Sequence, residues 1–237
     1  MLLRNMLFEE NFLKDDIKKG KKSVSRNTSI GDDRTPSISG FTPNYDFGFS
    51  ELSSSNPSSY HDYTKYLNTY YQLVCSQIIS HQSLTTGLFP IYGDKKCLEG
   101  HVRDNVYCAI TIWALRQCYS KIDYDQGRTH ELGQCAVKCM RGILFCWMKQ
   151  SSKIEKFKLS QSPENALHTK FKILNGNEID DIEYGHLQID CVALYLLYLA
   201  QMISSGLQII YSTDEVSFVQ NLIFYIERAY RIPDFGK

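Results

Sequence analysis

An all-α fold is the class that this sequence predicts, and three observations support it. Apolar residues recur at the helical period in several long segments, as at Tyr63, Leu67 and Tyr70. Residues 191–203 are apolar except for Gln201, which predicts a helix buried on nearly every side but too short to span a bilayer. No pair of segments predicts a convincing sheet.

The composition argues against several classes of function. The 237 residues carry 26 basic and 26 acidic side chains, so the net charge does not favour binding to nucleic acid or to an anionic membrane. The 8 cysteines lie mostly within apolar helical patterns, without a Cys-x-x-Cys pair or zinc-site spacing. We therefore expect buried, reduced cysteines, no metal and no cofactor. No secretory leader is found, so the sequence predicts a soluble cytoplasmic protein.

The first part of the chain, residues 1–58, predicts a disordered tail that is basic and rich in serine. Its Ser, Thr, Pro, Gly and Asn residues leave too little apolar surface to form a core. A basic cluster at residues 18–22 precedes Ser23 and Ser25, and Arg26 precedes Ser29. Basic residues upstream of serine suit basophilic kinases, so these three serines are candidates for phosphorylation. The alternative is a solvated tail without a regulatory role.

The first two helices follow this tail. The first should begin near Ser59, with Asp62 completing a weak capping box, and should end before Gly87. The second should cover residues 105–122. Asp104 precedes it, and its carboxylate is suited to accept hydrogen bonds from the free amides of the first turn. The sequence therefore predicts Asp104 as the N-cap of the second helix.

Three further long helices complete the predicted fold. The third should run from Thr129 to Lys153, and a weak hairpin between residues 156–159 and 171–174 should follow. The fourth is the apolar helix, ending near Gly206. The fifth opens with a capping box of the Ser-x-x-Glu kind, at Ser212 and Glu215, and ends at Pro233. Alternation of apolar and amphipathic helices favours two concentric layers, as in an α/α toroid, but a helix bundle fits the same periodicity.

Two polar pairs are candidates for binding a ligand. Arg103 and Asp104 combine an in-plane donor with an acceptor, a combination that can grip sugar hydroxyl groups. The alternative is a helix cap beside a surface arginine. Gln188 and Asp190 lie at the entry of the apolar helix, where buried polar groups need partners. They fit either the same pocket or a structural network between neighbouring helices.

Several runs of sequence resemble known families. Residues 185–190 with Ala193 and Leu194 resemble the Gly-x-x-Gln-x-Asp-x-x-Ala-Leu pattern of glucoamylase-type glycoside hydrolases. Longer runs resemble the regulatory alpha and beta subunits of phosphorylase kinase, which carry a glucoamylase-like domain. Most of these runs favour beta, while residues 102–107 also match alpha. Residues 125–132 and 138–144 resemble beta, residues 202–210 and 214–218 resemble both subunits, and residues 232–236 continue the match.

The resemblance implies a fold and a set of site residues. Residues 59–237 should form an incomplete (α/α)6 toroid of the glucoamylase type, the N-terminal part of a longer subunit. Arg103, Asp104, Gln188 and Asp190 should line its sugar pocket. The family's general acid is a glutamate that follows an Asp-Phe-Gly-x-Trp sequence, and Asp234-Phe235-Gly236 is followed here only by Lys237. We therefore expect no catalytic residue in this chain.

The resemblance also implies a function. It predicts a non-catalytic regulatory subunit that scaffolds and restrains a kinase catalytic subunit in the control of glycogen breakdown. The expected partners are that catalytic subunit, a companion regulatory subunit and calmodulin in a hetero-oligomer, with glycogen or a malto-oligosaccharide as a ligand. Full-length members are expected at the cytoplasmic side of the cell membrane, through a prenyl anchor outside this chain. Alternatives are a glucoamylase-type glucan hydrolase and a non-catalytic glycogen-binding module.

Overall fold

The computed structural model describes residues 60–92, 98–122, 126–181 and 184–234. The predicted tail, with Ser23, Ser25 and Ser29, lies outside these residues. Within them the predicted all-α class is confirmed, since there are six α-helices and one small two-stranded sheet, whose strands lie in the two longest connections. The helices are α1 (Tyr60–Gln77), α2 (Val102–Tyr119), α3 (Gln126–Met148), α4 (Ser151–Ser160), α5 (Ile189–Ser204) and α6 (Thr213–Ala229).

The small sheet fixes where α2 begins. Strand β1 (Glu99–His101) pairs antiparallel with β2 (Lys170–Lys172), so that Gly100 lies opposite Phe171. A side chain at Gly100 would collide with Ile173 and with the carbonyl of Phe89. The extended backbone of β1 continues to His101, and α2 starts at the next residue. The amide of Val102 donates to the carbonyl of Thr169 at 2.9 Å, so a carbonyl group next to β2 satisfies one of the free amides at the start of the helix.

The third predicted helix is wrong in two respects. It begins at Gln126, three residues before the predicted Thr129, and the structure divides it into α3 and α4. Gln150 separates them, with φ −104° and ψ 20°, and its side chain explains the break. Its Oε1 accepts from the amide of His168 at 3.0 Å, which ties the interhelix turn to the segment before β2. The redirected chain then buries Ile154 and Phe157 on one side of α4.

The predicted hairpin is wrong. Residues 156–159 lie within α4, because the spacing of Ile154 and Phe157 buries both on a single helical face. The second half of the predicted hairpin is a strand, but β2 pairs with β1, which lies about 70 residues earlier in the chain. The strand that the prediction placed in a local hairpin therefore takes part in a long-range pairing.

Helix α3 lies at the centre of the core. Its indole at Trp147 donates to the carbonyl of His168 at 2.9 Å and makes an edge contact with Tyr195 of α5, with ring centroids 5.1 Å apart. Helix α2 packs along α3, and α5 packs against α2 and α6. The fully buried residues of α3 are Leu132, Ala136, Cys139, Met140, Ile143 and Trp147.

The prediction that residues 191–203 are buried on nearly every side is wrong. Leu197 is 53% exposed, and Ala193 and Gln201 are exposed one turn before and after it. Burial is confined to the opposite face, which includes Tyr195 and Leu199. Among the described residues, α2, α3 and α6 cover that face of α5. No helix in the part of the chain that the structure describes combines the length and apolarity needed to cross a membrane.

Candidate functional site

The candidate site lies where α2 and α5 begin. Arg103 is the second residue of α2, and Asp190 is the second residue of α5. Arg103 donates from Nε and Nη2 to the same oxygen, Oδ2 of Asp190, at 2.8 and 2.7 Å. Their side chains are 36% and 51% exposed, so the ion pair is partly hydrated. The structure thus brings together two of the four predicted residues.

Asp104 lies beside this pair, but its predicted role as N-cap is wrong. The helix begins at Val102, three residues before the predicted start, because β1 carries the extended backbone up to His101. Asp104 therefore lies in the first turn, where its charge complements the helix dipole. Its side chain is 53% exposed, and Oδ2 lies 3.5 Å from Nδ1 of His101. It presents a carboxylate to solvent next to Arg103.

Gln188 is buried, in contrast to the partly exposed side chains of Arg103, Asp104 and Asp190. It is only 2% exposed, its Nε2 donates to the carbonyl of Gly185 at 2.8 Å, and its Oε1 accepts from Sγ of Cys191. Burial and then the neighbouring Asp190 raise the pKa of Cys191 to about 12, so this thiol keeps its proton. This placement favours the structural-network interpretation for Gln188, which shapes the entry to α5.

Two aromatic rings complete the rim of the site, and the sequence patterns did not single them out. The rings of His101 and Tyr184 lie 5.2 Å apart, and Nζ of Lys170 lies 5.3 Å from the Tyr184 ring. Lys170 also forms ion pairs with Glu99 and Asp181 at 3.0 and 3.2 Å. Burial lowers the pKa of Lys170, but hydrogen bonds to these two carboxylates outweigh burial and raise it. The sequence could have indicated His101 and Tyr184 only through their position, since each lies within a few residues of one of the two polar pairs.

Asn105 fixes the start of α2 from the buried side of the helix. It is 1% exposed, and its Oδ1 accepts from the amide of Phe89 at 2.6 Å. Its Nδ2 donates to the carbonyls of Phe89 and His101 at 3.0 and 2.8 Å. One buried amide therefore joins the loop at Phe89, the end of β1 and the first turn of α2, which sets the position from which Arg103 projects.

Comparison with known families supports the resemblance. The family model described as Glycosyl hydrolases family 15 matches residues 64–237. This chain belongs to glycosyl hydrolase family 15. The mostly helical architecture of the described residues fits the predicted partial toroid of this family.

Individual relatives of this family-15 chain carry the name of a regulatory subunit. The chain is 57% identical over 180 residues to the probable phosphorylase b kinase regulatory subunit beta of Drosophila melanogaster. It is 52% identical over 174 residues to the corresponding alpha subunit of that organism, and 47% identical to the rabbit (Oryctolagus cuniculus) skeletal-muscle alpha subunit. The predicted resemblance to both subunits is confirmed, with higher identity to the fly beta subunit than to the fly alpha subunit.

The length of these relatives limits what the match covers. The alignments include 72 to 76% of this chain but only 14 to 16% of each of these relatives. The chain therefore spans about one-seventh of the length of the curated relatives that it matches. Within the described residues of this family-15 chain, no group of three or more His, Cys, Asp or Glu side chains is arranged to hold a metal ion.

Proposed function

We propose that this chain is the family-15 region of a non-catalytic regulatory subunit of phosphorylase kinase. In this role it scaffolds and restrains the kinase catalytic subunit in the control of glycogen breakdown. The observation that carries the proposal is the 57% identity over 180 residues to a protein named as such a subunit. Identity at this level over most of the chain favours the same role in the same kind of assembly.

The geometry of the site gives Asp190 a structural role rather than a hydrolytic one. Hydrolysis of a glycosidic bond needs two carboxylates, one on each side of the bond. Asp190 instead accepts two hydrogen bonds from Arg103, so this carboxylate is engaged in an ion pair that joins α2 to α5. An arrangement of this kind stabilises the junction of two helices and orients the loop between β2 and α5.

The proposed partners are a kinase catalytic subunit, a companion regulatory subunit and calmodulin, in a hetero-oligomer. Apolar side chains exposed on α2 and α5, such as Tyr107 and Leu197, suit contact with other subunits. Phosphorylation at Ser23, Ser25 or Ser29 would add negative charge to a basic tail and so alter its contacts. A lipid anchor in the longer subunit would bring the assembly to the cytoplasmic face of a membrane.

A co-purification experiment tests this proposal. The tagged chain is expressed together with the kinase catalytic subunit, and the eluate is probed separately for that subunit, the companion subunit and calmodulin. Recovery of the catalytic subunit is expected. Circular dichroism of the same sample shows whether the chain is folded, and a folded chain that recovers none of the three partners would contradict the proposal for this region.

A second candidate function is binding of glycogen or a malto-oligosaccharide without catalysis. It is favoured by the combination of a guanidinium, an exposed carboxylate and an aromatic ring, at Arg103, Asp104 and Tyr184. Calorimetric titration with maltoheptaose tests it, and the Arg103→Ala and Asp104→Ala variants should abolish binding, while the distant His130→Ala control should not. No heat of binding for the unmodified chain would exclude this function, and release of glucose would instead support a hydrolase.

A further inference from the structure

Two histidines stack face to face beside the candidate site. The rings of His168 and His186 lie 3.8 Å apart, with an interplanar angle of 4°. His168 lies between α4 and β2 and is buried, whereas His186 lies on the loop that leads into α5 and is half-buried. The stack therefore fastens the loop at residues 184–188 to the body of the molecule.

The ring nitrogens of this pair are almost without hydrogen bonds. Within the described residues, Nδ1 of His168 and both ring nitrogens of His186 are shielded from solvent and have no partner. The fourth nitrogen, Nε2 of His168, lies 3.0 Å from Nζ of Lys153. An ammonium group can only donate, so Nε2 must accept and the proton of His168 must be on Nδ1. The geometry therefore requires a neutral His168.

Charged groups surround the stack on two sides. Lys153 projects from α4 and also pairs with Glu178 at 2.9 Å. On the connection after β2, Oδ1 of Asp180 lies 3.8 Å from Nε2 of His168, and Asp181 pairs with Lys170. A cavity of about 360 Å³ adjoins both histidines and is lined in addition by Glu164, Asp180, Asp181 and Tyr184. Its acidic lining attracts cations and protons towards the stack.

Both rings resist protonation while they are stacked. Burial, and then the neighbouring His168 and Lys153, lower the pKa of His186 to about 4. Burial and Lys153 also lower the pKa of His168, against the opposing effect of Glu178 and Asp180. A proton on either ring would place a new positive charge against the other ring and close to the ammonium of Lys153. On His186, neither ring nitrogen has a hydrogen-bond acceptor among the described residues.

We propose that the His168–His186 stack is a proton-sensitive latch, which holds the loop that carries Tyr184 and which acidification releases. The ring of Tyr184 makes an edge contact with His186 at 5.4 Å and faces His101 at 5.2 Å. Release would therefore remove Tyr184 from the rim beside Arg103 and Asp104. The latch would act whether the site binds a sugar or a protein. The outcome of its test is therefore independent of the function proposed above.

The direction of the effect follows from proton linkage. The stacked form of His186 has a lowered pKa, so protons bind better to the released form, and the released fraction rises as the pH falls from the ordinary histidine pKa of about 6.5 towards about 4. For His186 alone, linkage predicts that the ratio of released to stacked form rises about twentyfold between about pH 7 and about pH 5. Above the ordinary histidine pKa the latch stays closed.

Hydrogen exchange of the whole chain, measured by mass spectrometry at about pH 7.5 and about pH 5 and corrected for intrinsic exchange, tests the latch. We expect residues 178–181 and 184–188 to lose protection at the lower pH, while α2 and α3 keep theirs. Equal protection of this segment at both pH values would overturn the proposal. So would a uniform loss over α2 and α3, because it would indicate global acid unfolding.

A pair of matched variants isolates the titrating ring. His186→Phe keeps an aromatic ring in the stack but cannot take up a proton, so the loss of protection of its segment at the lower pH should be smaller than in the unmodified chain. His130→Phe makes the same change at an exposed position on α3 and should respond as the unmodified chain does. A loss of protection in His186→Phe as large as in the unmodified chain would overturn the proposal.

Nuclear magnetic resonance of the unmodified chain provides a test that does not depend on folding of a variant. The ring protons of His168 and His186 should titrate below the ordinary pKa of about 6.5, and their titration should move together with the ring signals of Tyr184. Titration of both rings at or above the ordinary value would overturn the proposal.

Discussion

Arg103 gives two hydrogen bonds to one oxygen of Asp190, but both side chains are partly exposed, at 36% and 51%. Solvent screening should therefore keep their coupling energy below about 1 kcal/mol. A double-mutant cycle with Arg103→Gln and Asp190→Asn, followed by urea unfolding, measures it. The comparison cycle is Arg141 with Glu215, whose carboxylate side chain is only 12% exposed and whose coupling should be larger, about 1 to 3 kcal/mol. A larger coupling for the exposed pair would contradict this account.

At the scale of single residues, the sequence predicted the charged members of the site better than its aromatic members. Arg103 and Asp190 lie at the starts of two helices that the apolar periodicity predicted. The two side chains can therefore form an ion pair once α2 and α5 are neighbours. His101 ends the three-residue strand β1 and Tyr184 lies in an irregular segment, and neither is long enough for periodicity to indicate the direction of a side chain. Their meeting depends on the pairing of β1 with β2, which joins residues about 70 positions apart.

Two glycines of α3 should respond differently to the same substitution. A side chain at Gly142 would overlap the backbone carbonyl of Thr86, whereas one at Gly133 would meet the movable side chains of Arg116 and Leu207. Gly142→Ala should therefore destabilise the fold by about 1 to 3 kcal/mol through overpacking. Gly133→Ala should fall between neutral and about 1 kcal/mol stabilising, because alanine favours a helix. Chemical unfolding of both variants tests this, and equal effects would contradict it.

At the scale of elements, the start of α6 was predicted in detail, and its capping box is confirmed. Oγ of Ser212 accepts from the amide of Glu215 at 3.2 Å, and the Glu215 carboxylate accepts from the amides of Ser212 and Tyr211. Such a motif is local in sequence, so residue spacing is enough to predict it. Ser212→Ala should cost about 1 kcal/mol of unfolding free energy.

The ion pair of Glu215 makes the stability of α6 depend on pH. Burial raises the pKa of this carboxyl, but Arg141 and the amides of Tyr211 and Ser212 outweigh burial and lower it. A lowered pKa contributes stability that is present above the ordinary carboxyl pKa and is lost as the pH falls through the folded value. The destabilisation caused by Glu215→Gln should therefore be larger at about pH 7 than at about pH 3.

Urea unfolding at several pH values measures this difference. Asp214→Asn is the matched control, since Asp214 is exposed in the same first turn of α6, and its effect should depend less on pH. An effect of Glu215→Gln that is the same at both ends of the pH range would contradict the role assigned to the ion pair.

Element boundaries that depend on tertiary contacts could not be predicted from the sequence. The break at Gln150 follows from a hydrogen bond to His168, which is brought there by the pairing of β2. Helical propensity across residues 126–153 carries no trace of that contact. In the same way, the apolar pattern of α5 predicts burial but does not say which neighbours provide it, and one face of α5 remains exposed.

At the scale of the whole molecule, the core packs against only one side of α5. Tyr195 and Leu199 are buried against the other helices, while Leu197 is 53% exposed on the opposite face. Ala193 and Gln201 continue this exposed stripe at intervals of four residues, so it follows one side of the helix. The two apolar residues of this stripe, Ala193 and Leu197, favour association with other apolar surfaces.

Replacing Leu197 by lysine tests that consequence. The isolated chain should self-associate, as seen by light scattering coupled to size-exclusion chromatography, because association removes the stripe from water. Leu197→Lys should shift the chain towards monomer with little change in unfolding free energy, because the new charge stays hydrated. Leu199→Lys, two residues further and 2% exposed, should instead lose at least about 3 kcal/mol, because it buries an unpaired charge. A monomeric unmodified chain, or equal destabilisation by the two lysines, would show that the exposed face of α5 is not a surface of association.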